Sequence, residues 1–145
     1  MENNKYFIID FDSTFTKVEA LDELCEISLN GDPNKDKILQ EVINLTNAGM
    51  EGKSSFTENL TKRLHLLRAN KRHLAPLIAK LKTKVSESII RNKDFFRDFS
   101  DNILIVSSGF KEFIVPIVTE YGIKEENIYA NTFVFDEQDN IIGFD

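Results

Sequence analysis

The sequence predicts an α/β fold in which a four-helix cap is inserted after the first strand of a parallel sheet. Three observations predict it. The apolar run Tyr6-Phe7-Ile8-Ile9 stops at Asp10-Phe11-Asp12-Ser13-Thr14, and a second, Ile103-Leu104-Ile105-Val106, stops at Ser107-Ser108-Gly109. Between them the apolar residues recur at three to four positions, the period of helices. Strands separated by helices build parallel sheets, and a long helical stretch between the first two reads as an insertion.

The totals narrow the function. With 145 residues and 41% apolar content, the chain can bury one core with at most a small satellite lobe. A net charge of -6 and the lack of a basic run argue against sequence-independent nucleic-acid binding, which needs clustered Lys and Arg. An anionic ligand then calls for a metal as intermediary. No apolar run approaches the roughly 18 residues of a membrane span, and the polar start leads straight into a strand, so the expected address is cytoplasmic with no membrane partner. Cys25 lies at helical spacing from Leu21 and Leu29 and reads as a packed core thiol.

Taken in order, Val18, Leu21, Cys25 and Leu29 define a first helix that Asn30-Gly31 can end. Asp32-Pro33 starts a second, with Ile38, Leu39, Val42, Ile43 and Thr46 on its buried face and Gly49 as its expected C-cap. Ser55 and Glu58 form a capping box for a third, which carries Phe56, Leu60, Leu64 and Leu67 and runs to about Ala69. Leu74, Leu77, Ile78 and Leu81 mark a fourth, with Pro76 in its first turn. One more helix through Ile89, Ile90, Phe95, Phe96 and Phe99 precedes the second strand, and Phe110, Phe113, Ile114 and Ile117 form the helix after it, closed by Gly122. A short strand over 127–130 and a hairpin around Asp136 to Asn140 follow. The expected boundaries are an α/β core of 1–15 and 85–145 and a helical cap of 16–84.

Chemistry concentrates at the strand tips. Alternation along a strand puts Asp10 and Asp12 on one side, and two such acids at neutral pH require a divalent cation or a shared proton. At the second tip, a Gly-containing turn opens a helix whose N–H groups and dipole favour a phosphate. His65 and His73 fit no metal spacing and receive no role.

Asp10-Phe11-Asp12-Ser13-Thr14 and Val106-Ser107-Ser108-Gly109-Phe110 resemble the first and second motifs of the haloacid dehalogenase-like superfamily, in its phosphoserine phosphatase branch. Glu19 follows the first motif at that family's spacing, and Met50-Glu51-Gly52-Lys53 with Phe56 and Arg63 resembles its cap segment. The resemblance implies a Rossmann-like sheet and a Mg2+-dependent phosphomonoester hydrolase that works through a phosphoaspartate. Asp10 would be the nucleophile. Asp12 would give a proton to the leaving serine oxygen and later take one from water. Ser107, with N–H groups around Ser108 and Gly109, would hold the phosphate, and Asp10 with the Asp12 carbonyl would bind magnesium.

Phosphoserine also carries an ammonium and a carboxylate, so a selective pocket needs a fixed anion and a fixed cation. Glu19 and Arg63 are one of each, and the planar guanidinium can grip both carboxylate oxygens. Phe56 and Met50 would add apolar walls. Read without the motifs, Arg63 is a solvated helix charge, and Phe56 and Met50 are ordinary packing residues.

The family's later motifs, a phosphate-steadying lysine and an acidic pair, have no counterpart here; Lys111 and Lys124 come too early. Ser108 stands where the family usually has Gly, and Thr132 where it usually has a basic residue. The expectation is therefore an N-terminal portion of such an enzyme, with the C-terminal part of the sheet missing, impaired alone and prone to self-association through the incomplete sheet. Two alternatives stay open: a phosphatase for another small amine-bearing phosphomonoester, and a non-catalytic amino-acid-binding or regulatory fragment.

Overall fold

The structure is a computed structural model and describes residues 5–145. Contacts divide the chain into two compact units, one running to Ala20 and taking in Ile78–Thr132, the other comprising Leu21–Leu77 and Phe133–Asp145.

The first unit is built on the two apolar runs. Strands β1 (Phe7–Ile9), β2 (Ile103–Phe110) and β3 (Ile128–Asn131) form a parallel sheet in the order β1-β2-β3. Ile9 pairs with Ile105, which pairs with Ile128, so these three share one face. Helices α5 (Glu87–Arg91), α6 (Lys93–Asp98) and α7 (Lys111–Val118) belong to this unit. Its core is aromatic and branched: Phe11, Phe15, Phe110, Phe113, Ile114 and Ile117 are fully buried. The Phe11 and Phe15 rings stack at 6.0 Å, and Tyr121 meets Phe15 edge-on at 5.2 Å. Burying each such side chain is worth about 1.5–3 kcal/mol.

Two details depart from the periodicity. The single helix expected before β2 is broken at Asn92, whose Nδ2 donates to the Ser88 carbonyl at 2.7 Å; a side chain that competes for backbone carbonyls favours a break. Strand β2 does not end at Val106 but continues to Phe110, with its register to β3 shifted between Val106 and Phe110.

The second unit carries the insertion. Helix α1 (Ala20–Ser28) starts at the boundary, followed by α2 (Lys35–Met50) and α3 (Phe56–Leu67). Helix α4 (Leu74–Lys82) crosses back into the first unit and has Pro76 in its first turn, where a missing N–H costs nothing. Ser55 caps α3 by accepting from Glu58 N at 3.2 Å. The expected C-cap is displaced: Gly49 lies inside α2, and Gly52, at φ 72°, is the residue that makes the left-handed turn. The third helix also stops two residues early, at Arg68 in a left-handed conformation.

The hairpin of β4 (Phe133–Phe135) and β5 (Ile141–Phe144) lies in this helical unit, whereas the sequence-based boundary put it in the α/β core. The reason is a backbone seam. Ile141 N donates to Ala69 O at 2.9 Å, Lys71 N donates to Asp139 O at 2.9 Å, and Asn70 Nδ2 donates to Gln138 O and Asn140 Oδ1, both at 3.0 Å. Hydropathy periodicity carries no trace of such long-range pairing.

Candidate active site

Strand β1 ends at Ile9, and the chain then makes one wide turn, closed by Thr16 N donating to Phe11 O at 3.1 Å. Burial of Phe11 and Phe15 pins both ends of this turn in the core. Its surface side presents Asp10, Asp12, Ser13 and Thr14. The two carboxylates are therefore presented by a turn and not by strand alternation, because β1 ends at Ile9 and the wide turn already begins at Phe11, between the two acids; within it Ser13 is left-handed, φ 57°. Left-handed backbone at a residue with a side chain costs roughly 1–2 kcal/mol. Two bonds hold it here: Ser13 N donates to Val18 O at 3.1 Å, and Ser13 Oγ donates to Glu19 Oε1 at 2.8 Å.

Each carboxylate has one oxygen fixed by a main-chain donor. Asp10, which is exposed, accepts from Phe11 N through Oδ1 at 2.7 Å. Asp12, half-buried, accepts from Ala20 N through Oδ1 at 2.8 Å. Its Oδ2 faces the tip of β2: a Cβ built on Gly109 would lie 3.2 Å from Asp12 Oδ2 and 3.1 Å from Ser107 Oγ. The two motifs thus converge at Gly109. Gly109 N donates to Ser107 Oγ at 2.9 Å, which leaves the Ser107 hydroxyl hydrogen as a donor. The Ser108 carbonyl accepts from Asn131 Nδ2 at 3.0 Å, tying the tip to β3.

The remaining substrate-binding candidates lie in the helical unit. Met50, at the end of α2, is 72% exposed, and Phe56, at the start of α3, is 49% exposed and meets Phe144 edge-on at 6.4 Å. Arg63 is half-buried on α3, and its Nη1 donates to Thr46 Oγ1 at 3.2 Å. Thr46 in turn donates to Val42 O at 3.0 Å. The guanidinium is thus half-buried and tied to a half-buried hydroxyl of the neighbouring helix.

Sequence reasoning missed several positioning groups. Ser13, Thr46 and Asn131 each fix a candidate residue or its backbone, and only the small polar residue types hinted at it. His73, given no role, accepts from Asn70 N through Nδ1 at 2.9 Å, while Asn70 Oδ1 accepts from Arg72 N at 3.0 Å. Together they cap the approach to α4. Burial, and then the charge of Arg72, push His73 below its ordinary pKa, which suits an imidazole accepting a hydrogen bond.

Among the described residues no group of three or more His, Cys, Asp or Glu comes together as a metal site. The Asp10 carboxylate with the backbone carbonyl of Asp12 offers hard oxygen donors of the kind that suit a cation keeping several waters and binding one or two carboxylates. The oxygen-donor chemistry of these two groups is of the kind that Mg2+ takes.

Comparison with known proteins agrees with this architecture. No protein-family model matches the chain. A phosphoserine phosphatase from Drosophila melanogaster is 27% identical over 145 residues, all of this chain and 51% of that protein. A crystal structure of a phosphoserine phosphohydrolase-like protein from Francisella tularensis superposes with a TM-score of 0.83 at 30% identity, over 97% of this chain and 64% of that one. A phosphoserine phosphatase solved as a phospho-aspartyl intermediate analogue shares the fold at a TM-score of 0.78 and 22% identity, over 99% of this chain and 64% of that one. The fold is shared with these phosphatases over the part of them that the chain covers, and the paired motifs resemble those of the haloacid dehalogenase-like superfamily. The chain is similar to phosphoserine phosphatases, at 27% identity to the Drosophila relative and 30% to the Francisella structure. It spans about half the length of the Drosophila relative, at 51%.

Proposed function

We propose that this chain carries the nucleophile, acid–base and substrate-binding parts of a Mg2+-dependent phosphomonoester hydrolase acting on L-phosphoserine. The observation that carries the reading is the convergence on Gly109 of Asp12 Oδ2 from one tip and Ser107 Oγ from the other. An acid–base carboxyl and a phosphate-binding hydroxyl meet there, the carboxyl on the same turn that follows the exposed Asp10.

Asp10 attacks phosphorus through Oδ2, since Oδ1 is engaged by Phe11 N. The P–O bond to the serine oxygen breaks, and Asp12, held by Ala20 N, delivers its proton to that oxygen through Oδ2. Water then attacks the phosphoaspartate, gives its proton to the same Asp12 oxygen, and releases phosphate with Asp10 restored. The Ser107 hydroxyl donates to a phosphoryl oxygen throughout. Asp10 and the Asp12 carbonyl would hold Mg2+, which neutralises the charge between nucleophile and phosphate.

Glu19 is the fixed anion for the substrate ammonium and Arg63 the fixed cation for its carboxylate, with Met50 and Phe56 as apolar walls; Ser108 and Gly109 supply backbone to the phosphate. For the helical-unit residues the support is chemical type and the likeness to phosphoserine phosphatases. The curated relatives are about twice as long, so the whole reaction is assigned to these residues only in part, and a reduced rate is expected of the 145-residue chain.

The test is magnesium-dependent phosphate release from phosphoserine, with phosphocholine and phosphothreonine alongside. Release that prefers phosphoserine and disappears in Asp10→Asn supports the reading. Release unchanged by that substitution contradicts it.

A further inference from the structure

Two residues of the helical unit are at odds with their own backbone, and both line one cavity. Arg68 ends α3 in a left-handed conformation, φ 47°, which glycine adopts at least cost. Gly143, inside β5, has no left-handed φ, and a Cβ built on it would meet no atom within 4 Å. Neither its backbone nor its surroundings demand a glycine. A glycine inside a strand weakens the strand and often marks the close approach of a ligand or of another backbone. The cavity has a volume of about 420 Å³, within the range of small-molecule pockets, roughly 300–1,000 Å³.

The backbone seam builds it: Ile141 N donates to Ala69 O at 2.9 Å and so draws β5 onto the end of α3. Leu64 and Ile141, both buried, form an apolar floor, and Ile142, 62% exposed, adds an aliphatic wall. Thr61, His65 and Arg68 share one face of α3 by their spacing and give the rim its polar groups. Among the described residues no acidic side chain lines the cavity, although the chain carries a net charge of -6. Neither the His65 nor the Arg68 side chain has an ion-pair or hydrogen-bond partner among the described residues. A cation at a helix C-terminus offsets the dipole, but any position in the last turn would serve, so the dipole does not explain a left-handed arginine. Met50, Phe56 and Arg63 are not among the lining residues, so the cavity is separate from the candidate substrate pocket.

We propose that this cavity binds a small aliphatic monocarboxylate. The planar guanidinium of Arg68 takes the carboxylate, with the His65 ring and the Thr61 hydroxyl as further donors. The hydrocarbon tail lies on Leu64, Ile141 and Ile142, in the space that a side chain at position 143 would otherwise take. Backbone strain at Arg68 is then retained because the guanidinium is needed there, as strained residues are where a ligand is gripped.

The inference does not rest on the phosphatase reading, and its test measures no turnover. Hexanoate is titrated calorimetrically into the full 145-residue chain, with hexanamide and hexylammonium, which keep the tail and change the charge, alongside. Hexanoate should bind saturably at one-to-one stoichiometry, at least about tenfold tighter than either analogue. Arg68→Gly should weaken binding about tenfold or more and yet raise the thermal midpoint by a few degrees, because the backbone is relieved as the guanidinium is lost. Arg68→Gln, at an exposed position, should weaken binding as much and leave the midpoint unmoved. Gly143→Val should abolish binding without lowering the midpoint, since valine suits a strand and fills the cavity. Hexanoate that does not saturate at millimolar concentration, hexanamide bound as tightly as hexanoate, or affinity unchanged in the two Arg68 variants or in Gly143→Val would each overturn the proposal.

Discussion

Asp12 and Gly109 meet across the tips of β1 and β2, where a Cβ on Gly109 would stand 3.2 Å from Asp12 Oδ2 and 3.1 Å from Ser107 Oγ. Contacts that short force a neighbour to move by a few tenths of an ångström. Gly109→Ala should therefore lower kcat for phosphate release by about tenfold, since small misplacements of reacting groups are costly. The thermal midpoint should change little. Steady-state kinetics and a melting curve on one preparation check both.

Ser13 and Glu19 separate stability from binding. Ser13→Ala keeps the left-handed backbone but removes the bond to Glu19, and should destabilise the fold by about 1 kcal/mol in urea titration. Glu19→Gln keeps an oxygen acceptor for Ser13 but loses the charge. It should unfold at a similar urea concentration while KM for phosphoserine rises by about tenfold or more.

Arg63 is aimed by Thr46, on the reading that it grips the substrate carboxylate. Thr46→Val should raise KM for phosphoserine several-fold and leave phosphoethanolamine, which lacks that carboxylate, unaffected. Thr46→Ser restores the hydroxyl and should restore KM. An equal loss on both substrates would assign Thr46 to packing instead.

His73 makes the stability of the helical unit depend on pH. Its folded pKa is depressed, so neutral His73 contributes stability that is fully present above its ordinary pKa of 6.5 and is lost as pH falls through the lower folded value. The urea midpoint should therefore fall on acidification below about pH 6.5, and less so in His73→Gln. Replacing its partner, Asn70→Ala, should cost about 1–2 kcal/mol at neutral pH, because the cap and the link to Asn140 both go.

Cys25 should be inert. Burial, then the nearby Asp22 and Glu26, raise its thiol to about 11, so it stays protonated at neutral pH. Thiol-reactive dye should label it only on unfolding, in step with the loss of helical signal by circular dichroism.

Much of the fold was legible because apolar runs and helical periods record burial directly. The apolar runs that place β1 and β2, the Ser55 cap of α3 and the buried stripe of α7 were all readable in this way. What was not legible depends on pairing between distant residues. The seam of 69–71 with 139–141 moves the hairpin into the helical unit, and nothing in the residues of either stretch announces it. The wide turn at 11–15 is similar: Asp-x-Asp-Ser-Thr marked the place, but the left-handed Ser13 is set by Val18 and Glu19. At the site, residue types sufficed to nominate Asp10, Asp12, Ser107 and Arg63, whereas the groups that hold them, such as Thr46 and Ala20 N, emerge only from geometry.

The most direct measurement is chemical trapping on Asp10. The chain is mixed with phosphoserine and Mg2+, quenched in acid, reduced with borohydride and digested for mass spectrometry. The account predicts that the Asp10 peptide is reduced to homoserine at that position in a phosphoserine-dependent manner, and that Gly109→Ala lowers the yield. Trapping at any other residue, or a yield that does not depend on phosphoserine, would contradict Asp10 as the nucleophile.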